Sequence, residues 1–233
     1  MCTNYRPTLR DWLAQQLRGA APEFEYPADA YPGYAAPVLR RSSRDVNPEA
    51  GGACAPAFDC LKASFGLIPF WAKDTKIGRM TYNARSETAP DKPAFRQAWS
   101  RSQWCLVPME CFYEPSYESG RAVRWRIERR DGSPFMVAGL WDRWVTPGTG
   151  ETVFSFSMLT LNADTHPLMR HFHRPGEEKR SVAVIDPHHG AEWLAAAPDA
   201  ALALLEAPRV DEFTSREEPA TPRRSAAGAA ATT

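Results

Sequence analysis

The chain has 233 residues and a formal net charge of zero, with 28 Lys+Arg against 28 Asp+Glu. That balance excludes a wholesale basic surface, so any nucleic-acid binding must rest on a local patch, and the length suits one substantial core. No apolar stretch approaches the ~18 residues of a membrane span. An odd number of cysteines and no signal-like leader point to a reducing cytoplasm.

In chain order, TLRDWLAQQLR predicts a first helix over Thr8–Arg18, with Thr8 as cap and Leu9, Trp12, Leu13 and Leu17 on one face. Gly19–Gly52, rich in Pro, Ala and Gly, reads as extended chain and turns. Ala63–Ala72 reads as a buried strand ending at Pro69, and Pro93–Trp99 as a short helix with Pro at its first position. Further strands follow in QWCLVPM, in AVRWRIE with its alternation of Val123, Trp125 and Ile127, and in PFMVAGLWDRW. Asp131-Gly132 predicts a hairpin between the last two. VFSFSML and Val182–Asp186 add strands, and GAEWLAA and ALALLEA read as short helices or a helix and a strand. The sequence thus predicts one α+β domain over 2–212, with a largely antiparallel sheet flanked by short helices, and a disordered tail over 213–233.

Four stretches combine polar side chains with apolar or turn-forming surroundings. Cys2 directly follows the initiator methionine; removal of Met1 is expected to give it a free amine beside its thiol. Asn83, Arg85, Ser86 and Glu87 crowd into YNARSET. Glu114 follows Phe112 and Tyr113, where burial is expected to raise its pKa toward the range useful for proton transfer. His171 and His173 lie in the basic segment MRHFHRPGEEKR. Cys54/Cys60 and Cys105/Cys111 do not have the spacing of structural zinc sites, so no metal is expected.

Together these stretches resemble the SRAP (SOS-response-associated peptidase) family of abasic-site processing proteins, over about Cys2 to Ala207. The resemblance rests on Met-Cys-x-x-Tyr, GLIPFWAKD, NARSET, CLVPMECFYE, the GLWD stretch and the late histidine before a basic segment. It implies a β-rich α+β domain that links covalently to abasic sites in single-stranded DNA through the mature N-terminal cysteine; no cofactor is expected, and a monomer is assumed. It also implies possible self-peptidase and lyase activity, and a positively charged channel leading to the terminus. Carried onto this sequence, it names Cys2 as nucleophile with Asn83, Glu114 and His173 as its catalytic companions, His173 being preferred to His171. Arg85, Phe70, Trp71, Arg174 and Arg180 are the implied DNA contacts. The chain departs from the common family pattern at Thr3 and Asn4, in FYEP where FYEW is usual, and in the expanded HRPGEEKRSV. An N-terminal-nucleophile peptidase or amidohydrolase, and a non-covalent single-strand binding module, are the alternatives the same residues allow.

Overall fold

A run of apolar residues beginning at Trp104 organises the molecule. The computed structural model describes residues 2–17, 22–42 and 58–219. Its elements in chain order are β1 (Asn4–Pro7), α1 (Arg10–Gln16), β2 (Ala35–Arg41), β3 (Phe58–Phe65), β4 (Asn83–Arg85), α2 (Arg96–Ser100) and β5 (Trp104–Ser116). There follow β6 (Val123–Arg129), β7 (Phe135–Val145), β8 (Thr152–Asn162), β9 (Arg180–Val182), β10 (Val184–Ile185), α3 (Gly190–Ala195) and β11 (Phe213–Glu217). The 13-residue β5 is long enough to take different partners along its length: β7 on Trp104–Met109, and β1 and β6 on its second half. Because β5 also bridges to β2 at Leu106, the path β7-β8-β3-β2-β5 closes on itself as a barrel. Pairing is antiparallel except where β3 and β4 run parallel to β8.

Strand alternation divides the apolar side chains between two layers. Val38, Cys105, Val107, Phe156 and Met158 fill the barrel together with Cys2 and Tyr5. Their neighbours Leu39, Trp104, Leu106, Ala138 and Leu140 face outward and are covered by Leu13 of α1, Trp99 of α2 and Trp193 of α3. Trp104 lies 4.9 Å from both Trp99 and Trp193 and donates its indole N–H to the Ala196 carbonyl at 2.8 Å. Each such buried aromatic contributes on the order of 1.5–3 kcal/mol. Most of the tryptophans are therefore core material, whereas Trp71 is 48 % exposed.

Several elements differ from their sequence-based reading. Thr8 does not cap α1: it is fully buried, Leu9 takes the cap position, and no side-chain cap forms. The strand expected over Ala63–Ala72 ends at Phe65 because Gly66 turns the chain at φ +122°, pressed against Gly78 so closely that a Cβ would stand 2.2 Å from the Gly78 oxygen. Asp131-Gly132 makes a turn but no hairpin: β6 and β7 each pair with β5, one after the other along it. Phe213–Glu217, expected in the tail, form β11 against β6, with Phe213 buried beneath Phe135. Arg18, Gly19–Ala21, residues 43–57 and the tail from 220 lie outside the described residues.

Candidate functional site

The end of the barrel toward which β8 runs brings four of the named side chains together. Strand β1 pairs antiparallel with β5, Asn4 opposite Tyr113, which carries the preceding Cys2 to the level of Glu114. Alternation on β5 then sends Phe112 and Glu114 to the inner face. Cys2 and Glu114 are each 1 % exposed. Strand β4 lies beside Met158–Thr160, and from it Asn83 donates its side-chain N–H to the Cys2 carbonyl at 2.7 Å. The Asn83 oxygen has no hydrogen-bond partner among the described residues.

The fourth group arrives on the loop after β8. His173 adopts φ +66°, a left-handed conformation that costs a residue with a side chain on the order of 1–3 kcal/mol. It is held there by its own N–H to the Pro115 carbonyl at 2.8 Å and by Lys179, whose ammonium donates to the His173 and Arg174 carbonyls at 3.1 and 2.8 Å. The imidazole Nε2 then lies 3.1 Å from a Glu114 carboxylate oxygen, both groups being buried. His171 instead points outward and pairs with the exposed Glu118 at 2.8 Å.

Burial, reinforced by the nearby Glu114 charge, pushes the Cys2 thiol far above its ordinary range. At neutral pH it is a protonated thiol whose proton must go to a neighbour before sulfur can attack. Tyr82 borders the site, a position that residue-type reasoning passed over. Burial, and then the nearness of Cys2 and Glu114, raise its phenol, and its ring packs 5.8 Å from Phe65. Its position directly before Asn83 was the available signal.

The other named residues divide. Arg85 is on the same face of β4 as Asn83, half-exposed, and ion-pairs with Glu178 at 2.8 Å. Arg174 follows His173 at the surface, its guanidinium 3.3 Å from the Tyr117 hydroxyl. Phe70 and Trp71 are exposed on the loop after β3, and the Trp71 indole donates to Pro93 at 3.3 Å. Arg180 is not at the surface. Its 3 %-exposed side chain grips Glu87 through two bonds of 2.9 and 2.8 Å, Glu178 at 2.9 Å and the Thr160 carbonyl at 2.7 Å. It thereby ties the loop after Asn83 to the loop that carries His173. Asn4 is buried too. Its amide donates to Ala30 at 3.2 Å, and its oxygen accepts at 2.7 Å from Arg124, which stacks 3.3 Å above the Tyr113 ring. Among the described residues no group of His, Cys, Asp and Glu is arranged to hold a metal ion, and no helix is long and apolar enough to cross a membrane.

A domain built on this barrel, with a buried second-position cysteine facing an Asn, a Glu and a His, defines a known class. The chain belongs to the SRAP (SOS response associated peptidase) family, whose model matches residues 1–217. Among particular relatives, the Bacillus subtilis abasic site processing protein YoaM is 34 % identical over 134 residues, covering 57 % of this chain and 55 % of its own. The Xenopus tropicalis abasic site processing protein HMCES is 26 % identical over 151 residues, covering 56 % of this chain and 43 % of its own. This chain thus spans about half the length of the curated relatives it matches. A solved protein of Bordetella bronchiseptica superposes with a TM-score of 0.82 at 33 % identity, covering 94 % of this chain and all of that one. A Bacteroides thetaiotaomicron protein, at 21 % identity and a TM-score of 0.76, shares the fold.

Proposed function

We propose that this protein processes abasic sites in single-stranded DNA by forming a covalent bond through Cys2. The observation that carries the proposal is the tether from Asn83 to the Cys2 carbonyl beside the buried Glu114–His173 pair. Hydrolysis of the Met1–Cys2 peptide bond, by the protein itself or by an aminopeptidase, consumes one water and leaves a free α-amine. Such an amine has an ordinary pKa of ~7.7–8.0, so a useful fraction is unprotonated near neutrality.

The ring-opened abasic sugar presents an aldehyde. The Cys2 amine adds to it and expels water, giving an imine; the Cys2 sulfur then adds to the imine carbon as the nitrogen takes a proton, closing a five-membered thiazolidine. Sulfur and carbon are already joined through the same residue, so closure gains the full benefit of proximity. Glu114 accepts the thiol proton and passes it on, and His173 assists opening of the sugar ring. The unpartnered Asn83 oxygen accepts from the α-amine and aims its lone pair at the aldehyde. Until the ring closes, the imine also acidifies the neighbouring sugar C–H, so strand-cleaving elimination competes with thiazolidine formation.

Arg85 and Arg174, exposed near the buried group, hold flanking phosphates, and Phe70 and Trp71 stack on bases. Arg180 acts through the loops it fastens. The protein works as a monomer; its place is the cytoplasm, a reading that the free thiols Cys2, Cys60, Cys105 and Cys111 support. Incubating the mature protein with an abasic oligonucleotide should give a complex that survives heating on a denaturing gel. Cys2→Ala should give none, and a variant that cross-links as well as wild type would overturn the assignment. An amidohydrolase would instead turn over added peptides and leave the oligonucleotide unmodified.

A further inference from the structure

The barrel has a second mouth, at the end from which β8 starts. There Trp141 and Phe154 pack against the inner core with their rings 6.0 Å apart. The Arg40 guanidinium lies over both, 4.8 and 5.8 Å from the ring centroids. Its Nε has no hydrogen-bond partner among the described residues, and its Nη2 stands 3.7 Å from Asp59. The exposed Arg101, Arg143 and Phe70 surround this platform, with the amides of Gln97 and Gln103 at its edge. They enclose a groove of about 640 Å³, within the roughly 300–1,000 Å³ of small-ligand sites. A neighbouring groove of about 460 Å³ shares Arg40, Arg101 and Trp141 and adds the exposed Arg41.

The two grooves make one trough. Among the described residues four arginines line it against one lining carboxylate, the buried Asp142, whose oxygen accepts from the Arg143 backbone at 2.7 Å, with Asp59 behind Arg40. In a chain of zero net charge this is a local cationic excess. Aromatic faces offer stacking, side-chain amides match the polar edges of bases, and arginines at the rim match phosphates. Acidic peptides would use the charge but neither the rings nor the amides. A duplex hides its base faces and would not use the rings.

We propose that this trough is a second binding site for single-stranded nucleic acid, distinct from the Cys2 site and indifferent to whether the strand carries a lesion. Phosphates lie on Arg41, Arg101 and Arg143, and bases stack on the platform of Arg40, Trp141 and Phe154.

The test uses the full chain and a fluorescent, undamaged 12-nucleotide thymidine strand, followed by anisotropy across a salt series. Arg101→Gln/Arg143→Gln should weaken binding roughly 10-fold at low salt and flatten the log–log salt slope by about 1.4, or ~0.7 per lost phosphate contact. Adduct yield on a trinucleotide with a central abasic site should stay at the wild-type level. Both side chains are exposed, so the thermal midpoint should not move; Arg101→Glu, expected to weaken binding further, provides a second variant. Unchanged affinity and slope in both variants would overturn the proposal, as would equal competition by poly-glutamate. Since the strand is undamaged, failure of the Cys2 chemistry would leave this measurement untouched.

Discussion

Replacing Arg180 by Met separates its role in holding the site together from any contact with DNA. A residue that merely touched phosphate at the surface could be lost with no effect on folding. Arg180 instead makes five bonds of 2.7–3.1 Å from a position only 3 % exposed. Breaking a fully buried ion pair costs about 3–5 kcal/mol, because the abandoned charge cannot reach water. Here Glu87 and Glu178 are 47 % and 32 % exposed and rehydrate, which removes much of that cost. The buried Thr160 carbonyl keeps the Ser86 N–H at 3.0 Å but loses its charged donor, a bond worth about 1.5–3 kcal/mol. A total of about 2–3 kcal/mol follows. With a urea dependence of roughly 2–3 kcal/mol per molar, the unfolding midpoint should fall by about 1 M.

The acid limb of stability should change as well. Partial burial raises the Glu87 carboxyl, but the Arg180 hydrogen bonds outweigh it and hold the group below its ordinary value. Glu178 is held down by hydrogen bonds from Asn162 and then Arg180. Groups depressed in the folded state stabilise it above their unfolded pKa, and that contribution is lost as pH falls through the folded value. Arg180→Met should therefore flatten the decline in stability below about pH 4.5. It should also slow adduct formation, because the loops bearing Asn83 and His173 lose their common anchor. Lysine at this position should rescue only partly, having no bidentate fork for Glu87. A midpoint equal to that of wild type would refute this reasoning, and Arg174→Ala is the surface control that should stay there.

Three further outcomes follow from the same geometry. His173→Gly should abolish or strongly slow adduct formation while shifting stability by no more than about 1 kcal/mol, since relief of the φ +66° strain offsets the lost packing; equal losses of stability and activity would count against this. Glu114→Gln should slow formation of the stable adduct with an abasic oligonucleotide roughly 100-fold, read on a denaturing gel, because the group that takes the thiol proton is gone; an unchanged rate would show that the carboxylate does not act on the sulfur. Gly66→Ala should destabilise by more than roughly 3 kcal/mol or prevent folding, given φ +122° and a contact of 2.2 Å with the Gly78 backbone; a stable variant would show that the loop can retreat.

Much of the site was legible because its groups are chemically conspicuous in sequence. A carboxylate behind Phe112 and Tyr113 was expected to be buried, and on β5 it is. His173 lies beside Glu114, whereas His171 pairs with the exposed Glu118. What could not be read locally was pairing. A basic residue looks the same whether it meets phosphate or a distant carboxylate, so nothing near Arg180 announced Glu87. Likewise Asp131-Gly132 specifies a turn but not whether the flanking strands pair with each other. That is decided by the length of β5, which takes both. Gly66 carried no sign of Gly78, the contact that ends β3 and swings the chain back toward Asn83.

The central claim is that Cys2 uses both its amine and its sulfur. Intact-mass analysis of the protein, with and without an abasic oligonucleotide and with no reductant present, tests it most directly. The account predicts a chain lacking Met1 and, on adding the oligonucleotide, a stable species at the sum of the two masses less one water, absent in Cys2→Ala. A Cys2→Ser chain should be trapped only when borohydride reduces its imine. A stable adduct in Cys2→Ala, or one mapping to an internal lysine in the wild type, would contradict the account.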